Sequence, residues 1–495
     1  MDVIDRKNVN IYDSPVLLAF ISGVMWALAY PPFPLGFLAF FMLVFLWRAL
    51  ENVHSGFQAV KIGYLWGLVG SLGTLWWISL PTLPGMIALV LFLPLYSALY
   101  ARIHYLVAHK HPRLAIVLSP ILLVAVEFLR SWGKLGFPWM NLSYTMTGYP
   151  VLIQFADIFG AFGVSLWVAM INSCIYFLLA KPFKREFFVS AIVLLSLVFG
   201  SYRYGVYRMN RNIDGRDLRI ALLQGNIDPY EKWSPKMRHM NAKIYSDMIR
   251  SVGSEIDLCI LPETATACYH RRKVSMFLPL VDAVKETGVP TLMGTLDFDD
   301  NNHSRYFNSA ILVMPDGSYK QEYSKIQLVP FAEYIPLQDN FTFIRRLSFG
   351  GGHFESGDKY TVFKFNDAKF SVLICYESAF GWLGRRFRDK GAQFLVNITN
   401  DGWFGRTTGP YQHAMFNVMR AIENRVWIAR CANTGISMFV DPYGRIIRQT
   451  KLFERTVLIG DIHLTNVLTI YDRIGDVIGW GSFFITPFLL LLFRK

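Results

Sequence analysis

The sequence predicts a multi-pass α-helical membrane domain joined to a soluble α/β domain, and three observations carry that expectation. Apolar residues fill 53% of the 495 positions and charged ones only 17%, where soluble proteins carry about a quarter. The charges are unevenly placed, with 20 Lys, Arg, Asp and Glu in residues 1–205 and 60 in residues 206–470. Long apolar runs crowd the first stretch and the C-terminus, while short β-branched runs alternate with amphipathic ones between them. The expected division is a membrane domain over 1–205, a second domain over 206–470 and a closing span in 471–495. Five cysteines exclude a disulfide scaffold, and the apolar content excludes a disordered chain. The net charge of +13 includes no dense basic run, so no nucleic-acid partner is expected.

A spanning helix needs about 20 mostly apolar residues. Seven candidates precede residue 206: Pro15–Tyr30, Leu35–Leu50, Gly63–Leu80, Met86–Leu106, Leu114–Leu129, Phe162–Leu179 and Phe187–Tyr202. An eighth is Val477–Phe493, giving about eight transmembrane helices. The stretch Lys134–Phe159 is apolar but broken, as a re-entrant or interfacial segment would be. With the N-terminus in the cytoplasm, twelve Lys and Arg fall on the inner side: Arg6, Lys7, Arg48, Lys61, Arg102, Lys110, Arg113, Lys181, Lys184, Arg185, Arg494 and Lys495. Only Arg130 and Lys134 fall in the outer short loops. By the positive-inside bias, both termini are cytoplasmic and residues 206–470 lie outside, in the periplasm of a bacterium.

In the second domain, strands are expected at Leu218–Leu223, Ile256–Leu261, Thr291–Thr295, Ser309–Met314, Phe370–Cys375, Phe394–Ile398, Ile428–Ala432, Ser437–Val440 and Val457–Ile462. Helices are expected at Pro235–Ser251, Val274–Glu286, Gly381–Lys390 and Tyr411–Asn424. Asp316-Gly317 and Pro442-Tyr443-Gly444 read as hairpin turns. Interleaved strands and helices make an α/β domain.

Three segments at strand ends carry reactive groups: Glu263 in Leu-Pro-Glu-Thr, Lys325 in Lys-Ile-Gln-Leu-Val-Pro-Phe-Ala-Glu, and Cys375 in Leu-Ile-Cys-Tyr-Glu. Asn397-Ile-Thr-Asn-Asp-Gly-Trp-Phe follows the next strand. Singly these are weak signals. In this order they resemble the carbon–nitrogen hydrolase (nitrilase) superfamily, over roughly residues 218–462. Gln224-Gly-Asn-Ile with Trp233, Phe137-Pro-Trp and Asn400-Asp-Gly-Trp-Phe-Gly, with the spans, extend the resemblance over nearly the whole chain, to the apolipoprotein N-acyltransferase family.

The resemblance implies an α-β-β-α sandwich and a Glu263–Lys325–Cys375 catalytic triad. It implies a fatty acyl chain moved from a membrane phospholipid, typically phosphatidylethanolamine, through a cysteine thioester to the α-amino group of the diacylglyceryl cysteine that begins an apolipoprotein. This is the last step of lipoprotein maturation, at the bacterial inner membrane. The residues suit that chemistry. A thiol is mostly protonated at neutral pH, so Cys375 needs a base, Glu263, and the Lys325 ammonium would steady an oxyanion. An anchored amidase using water, and a transporter with an inactive external domain, are the competing readings.

Glu333 and Glu377 are expected to support the triad, Glu333 by orienting Lys325. Glu377 is placed on the face of the cysteine if the strand continues, or in a salt bridge to an arginine such as Arg420. Tyr376 and Trp233 line the substrate path or simply pack. Asn400, Asp401, Trp403 and Phe404 form a loop at the pocket rim. Phe341, Phe343 and Phe349, with Arg345 and Arg346, suit a membrane-skimming lid or equally a disordered surface loop. A Cys259–Cys268 disulfide stays open. No metal, nucleotide or other cofactor is expected, since His270, His303, His353 and His413 are scattered, and the chain is expected to be a monomer.

Overall fold

The computed structural model describes residues 14–180, 183–211, 215–272, 274–299, 302, 305–334 and 354–492. The N-terminal region is helical: α1 (Pro15–Leu28), α2 (Met42–Glu51), α3 (Gly56–Leu75), α4 (Leu83–Phe92), α5 (Pro94–Ala108), α6 (Pro112–Ser131), α7 (Ala156–Ala180) and α8 (Arg185–Met209). Among the described residues, four helical stretches are long and apolar enough to cross a membrane: Leu83–Ala108, Pro112–Ser131, Ala156–Ala180 and Arg185–Met209. Along α8, Phe188, Ile192, Leu195 and Phe199 stay exposed, an apolar surface that water does not favour and lipid does.

Several expected spans differ in detail. Leu35–Leu50 is not one helix but a 3-10 turn (Gly36–Phe40) followed by the ten-residue α2. Ten residues rise about 15 Å, half a hydrocarbon core, and α2 is instead packed inside the helical region, with Met42, Leu43, Leu46 and Trp47 fully buried. Pro94, which has no N–H to donate, marks the break between α4 and α5. The broken stretch after α6 forms three 3-10 turns, at Pro138–Met140, Leu142–Met146 and Pro150–Leu152. α7 bends at Gly160, whose φ is 66°, and a Cβ there would sit 2.4 Å from the Tyr471 ring.

Among the described residues, two six-stranded sheets follow. The first has the order β12-β1-β2-β3-β4-β5, with β1 (Asp217–Gln224), β2 (Leu258–Ile260), β3 (Thr291–Phe298), β4 (Tyr306–Val313), β5 (Gln321–Ser324) and β12 (Thr456–His463). The second has the order β11-β10-β9-β8-β7-β6, with β6 (Phe363–Phe365), β7 (Ala368–Ile374), β8 (Phe394–Thr399), β9 (Ile428–Ala432), β10 (Met438–Val440) and β11 (Ile446–Gln449). The helices are α9 (Pro235–Arg250), α10 (Val274–Thr287), α11 (Gly381–Asp389) and α12 (Gly409–Asn424), and α13 (Ile470–Ile474) and α14 (Val477–Leu492) close the chain.

Strand alternation divides the core. On β1, Ala221 and Leu223 face α9 and α10 with Tyr245, Ile249 and Leu280, while Ile220 and Leu222 join the other core, which also holds Val372 and Ile374 of the second sheet. α11 and α12 cover the outer face of that sheet, completing an α-β-β-α sandwich. Parallel neighbours β1–β2, β2–β3, β7–β8 and β8–β9 set their C-terminal ends side by side.

The helical region docks on the α11–α12 layer through buried polar groups. Arg425, at the end of α12 with φ 48°, donates to Asp157 Oδ2 at 2.9 and 3.1 Å and to the Gln154 carbonyl. Arg208 reaches the same carboxylate at 3.0 Å. Glu423 accepts from the Ala161 N–H at 2.7 Å and pairs with Arg420 at 2.9 Å. Replacing Asp157 with Leu strands two guanidinium groups, and thermal unfolding in detergent is expected to show a loss of ~3–5 kcal/mol; an unchanged midpoint would show that the junction is held by apolar packing alone.

Candidate active site

Glu263, Lys325, Glu333 and Cys375 come together where the ends of β2, β5 and β7 meet. Glu263 lies three residues beyond β2 in a turn whose next residue, Thr264, has φ 49°. That turn presses against β3 at Gly294, where a Cβ would lie 2.4 Å from the Pro262 carbonyl oxygen, so only glycine fits. Lys325 directly follows β5 and its N–H donates to the Asn308 carbonyl at 2.8 Å. Cys375 directly follows β7 with φ 53°, a left-handed conformation that bends the chain into a 3-10 helix, Cys375–Ala379.

The Lys325 ammonium is buried and lies 2.8 and 2.9 Å from the two carboxylate oxygens of Glu333 and 3.9 Å from Glu263. Asn308 Nδ2 donates to Glu263 at 2.7 Å and to Glu333 at 3.1 Å, and the Asn400 N–H donates to Glu263 at 3.0 Å. Burial works against the Lys325 charge, but the Glu333 and Glu263 carboxylates outweigh it and hold the ammonium above its ordinary pKa. Burial and the Glu263 carboxylate push the Cys375 thiol well up, with Lys325 opposing them. The resting sulfur is therefore a thiol beside a carboxylate and a fixed cation.

Glu377 does not share the cysteine's face, because the strand stops at Ile374. Its carboxylate turns back, accepting from the Ile374 N–H at 2.7 Å, the Ile326 N–H at 2.7 Å, the Gln327 N–H at 3.0 Å and the Tyr323 hydroxyl at 2.8 Å. It ties the cysteine strand to the lysine loop. Arg420 pairs with Glu423 instead. Burial pushes Glu377 up to about 7, opposed by the Gln327 and Ile374 N–H groups.

Asp401 is not at a rim. It is fully buried, 2.7 Å from both Arg430 Nη2 and His413 Nδ1. Burial opposes its charge, but Arg430 and then His413 overcome that and bring it down to about 2. His413 Nε2 in turn donates to the Cys375 carbonyl at 3.0 Å. Asn400 is buried, its side chain accepting from Asn433 at 3.0 Å. Trp403 stands edge-on to Tyr230 at 5.0 Å, and Phe404 packs on Trp77 of the helical region at 4.5 Å. Tyr376 is buried among Phe137, Trp139 and Phe380, its hydroxyl donating to the Gly136 carbonyl at 3.0 Å. Trp233 is half-buried beside Lys232 and Arg238. Phe341, Phe343 and Phe349, with Arg345 and Arg346, lie outside the described residues. Cys259 and Cys268 form no disulfide with each other.

Three residues at this site escape sequence reasoning. Asn308 bridges two carboxylates from the middle of a strand. His413 sits in the first turns of α12, twelve residues from its Asp401 partner. Lys232 is buried and donates to the Glu263 carbonyl at 3.2 Å and to Thr264 Oγ1 at 2.8 Å; burial pulls its ammonium down to about 7 against the Glu263 carboxylate. Its place just before Trp233 was the available signal. Among the described residues, no group of three or more His, Cys, Asp or Glu side chains is arranged to hold a metal.

The family model described as carbon-nitrogen hydrolase matches residues 219–470, and that described as apolipoprotein N-acyltransferase N-terminal domain matches residues 22–174. An apolipoprotein N-acyltransferase of Geobacter metallireducens is 34% identical, covering 94% of this chain and 92% of its own. The chain belongs to the apolipoprotein N-acyltransferase family. Further relatives of that name come from Pasteurella multocida, 31% identical over 96% of this chain and 94% of theirs, and Chlorobaculum tepidum, 30% identical over 95% and 94%. As a member of this family, the chain is an acyltransferase built on the nitrilase fold, with apolar helices suited to a membrane.

Two outcomes follow from the site's geometry. Because the folded-state pKa of Asp401 lies below its ordinary value of 3.8, it contributes about 2 kcal/mol that is present above pH ~4 and lost as pH falls through ~2. Subtracting the acid-unfolding curve of Asp401→Asn from that of wild type should reveal this increment. In Glu377→Gln, an NH2 must face a donor in either rotamer, so stability should fall by about 2 kcal/mol or more in thermal melts; wild-type stability would refute the strap.

Proposed function

We propose that this chain moves a fatty acyl group from a membrane phospholipid, phosphatidylethanolamine, to the α-amino group of the S-diacylglyceryl cysteine at an apolipoprotein N-terminus. The observation that carries the mechanism is the Glu263–Lys325–Glu333 charge cluster beside the Cys375 thiol. Glu263 takes the Sγ proton, and the thiolate attacks the ester carbonyl. The negative oxygen forms near the Lys325 ammonium, which Glu333 holds charged and in place. Collapse breaks the ester C–O bond, and the departing lysophospholipid oxygen takes the proton back from Glu263. The lipoprotein amine then attacks the thioester and gives a proton to Glu263. Collapse breaks the C–S bond, forms the amide, and the sulfur recovers that proton. Atoms and charges return to their starting state, and no cofactor is consumed.

In this reading residues 1–205 and 471–495 are the membrane domain of a monomer in the bacterial inner membrane, both termini are cytoplasmic, and residues 206–470 are the periplasmic catalytic domain. The excess of Lys and Arg on the inner side supports the orientation. The aromatic contacts of Phe404 with Trp77, and of Tyr376 with Trp139, support a lipid route from the helical region to Cys375.

Intact-mass analysis after incubation with phosphatidylethanolamine tests the reading. Wild type should gain one hydroxylamine-sensitive acyl group, Cys375→Ala should gain none, and a diacylated lipopeptide should discharge the adduct as an amide. Absence of the adduct on folded wild type would overturn the phospholipid donor.

A further inference from the structure

Behind the sulfur lies a buried chain of side chains with no part in the proton transfers above. Arg430 Nη2 holds Asp401 Oδ2 at 2.7 Å, Asp401 Oδ1 holds His413 Nδ1 at 2.7 Å, and His413 Nε2 meets the Cys375 carbonyl oxygen at 3.0 Å. All three side chains are fully buried. Thr399 donates to Asp401 Oδ1 at 3.0 Å, and Arg430 also donates to the Ile436 carbonyl at 3.1 Å, so the carboxylate and the guanidinium are fixed from several sides. The rings of Trp139, Phe404 and Phe416 enclose the imidazole.

A carbonyl oxygen can only accept, so Nε2 carries the hydrogen and the ring grips the Cys375 peptide oxygen. In a trans peptide, C=O and the following N–H point in opposite directions. Gripping the oxygen therefore fixes where the Tyr376 N–H points, away from His413. Tyr376 is the second residue of the 3-10 helix Cys375–Ala379, so its N–H is one of the first donors, which a helix leaves without an intrahelical partner. The left-handed φ of 53° at Cys375 has to be held by its surroundings, and His413 supplies that hold at the peptide itself.

We propose that His413, set by Asp401 and Arg430, is a positioning residue that aims the Cys375–Tyr376 peptide so that its N–H meets the developing oxyanion opposite Lys325. This rests on the acyl-enzyme reading of Cys375. It assigns to His413 a role in stabilising the tetrahedral intermediate, not in activating the thiol.

The test compares two reactions of one sulfur. Thioester formation from phosphatidylethanolamine passes through an oxyanion, and alkylation by iodoacetamide does not. His413→Phe, which keeps the bulk and loses the donor, should slow single-turnover thioester formation by ~10²–10³-fold. Its alkylation rate should stay within about threefold of wild type, with little change in the phospholipid concentration at half-saturation. His413→Gln places an amide N–H near Nε2 and should recover at least about tenfold of the loss, while His413→Asn falls short of the carbonyl and should not. If His413→Phe does not fold, the Gln-against-Asn comparison carries the test, and equal rates there overturn the proposal. An acylation rate for His413→Phe within about threefold of wild type, or an alkylation rate falling in parallel, also overturns it. Wild type that is alkylated but never acylated fails the acyl-enzyme reading itself, a result distinct from the others.

Discussion

The Glu377 carboxylate is the constraint on which the site depends. The two sheets of the sandwich supply different parts of the candidate site: Glu263 and Lys325 follow strands of the first, and Cys375 follows a strand of the second. Apolar contact between sheets has no direction and would allow them to slide by fractions of an ångström. Four donors converging on one buried carboxylate do not allow it, because a shift of either sheet leaves a charge or an N–H unpaired in a dry interior. The strap reaches the Lys325 loop at Ile326 and Gln327 and the cysteine strand at Ile374, each within two residues of Lys325 or Cys375.

With the sheets fixed, the electrostatics of the cluster follow from counting. Two carboxylates flank one ammonium, and Asn308 shares its amide between them, so Lys325 stays charged despite complete burial. The thiol feels the nearer carboxylate and burial more than it feels the lysine, and stays protonated. In the proposed reaction, this sulfur keeps its proton until an ester carbonyl arrives to receive the charge. That arrangement limits side reactions of a thiolate without needing one at rest.

The strands that alternate or run apolar were legible in the sequence. All nine expected strands overlap theirs by three residues or more with only end shifts, and the helix expected at Pro235–Ser251 is found at Pro235–Arg250. β5, β6 and β11 were missed. They are short edge or near-edge strands, and β11 is wholly exposed, so no burial pattern marks it. The expected span at Leu35–Leu50 failed because an apolar run says that a segment is buried and not what buries it; α2 lies within the helical region, too short to cross. Lys325 and Glu333 were legible as a pair because only seven residues of loop separate them. Asp401 was misplaced at a rim because its partners, Arg430 on β9 and His413 on α12, are brought to it only by the fold. Glu377 was placed on the wrong face because nothing local announces that a strand will stop one residue before a cysteine.

The polar junction at α12 also bears on how the enzyme can be handled as a material. Arg420, Glu423 and Arg425 are fully buried only because Tyr144, Asp157, Ala161 and their neighbours cover them. The catalytic sandwich thus keeps part of its interior in another stretch of the chain. A fragment cut at the domain boundary would open that interior to water along the helix that carries His413. Trimming away the apolar helices would therefore uncover charged groups, and the turn at Leu142–Met146, α7 and α8 have to travel with the sandwich into any engineered acyltransferase.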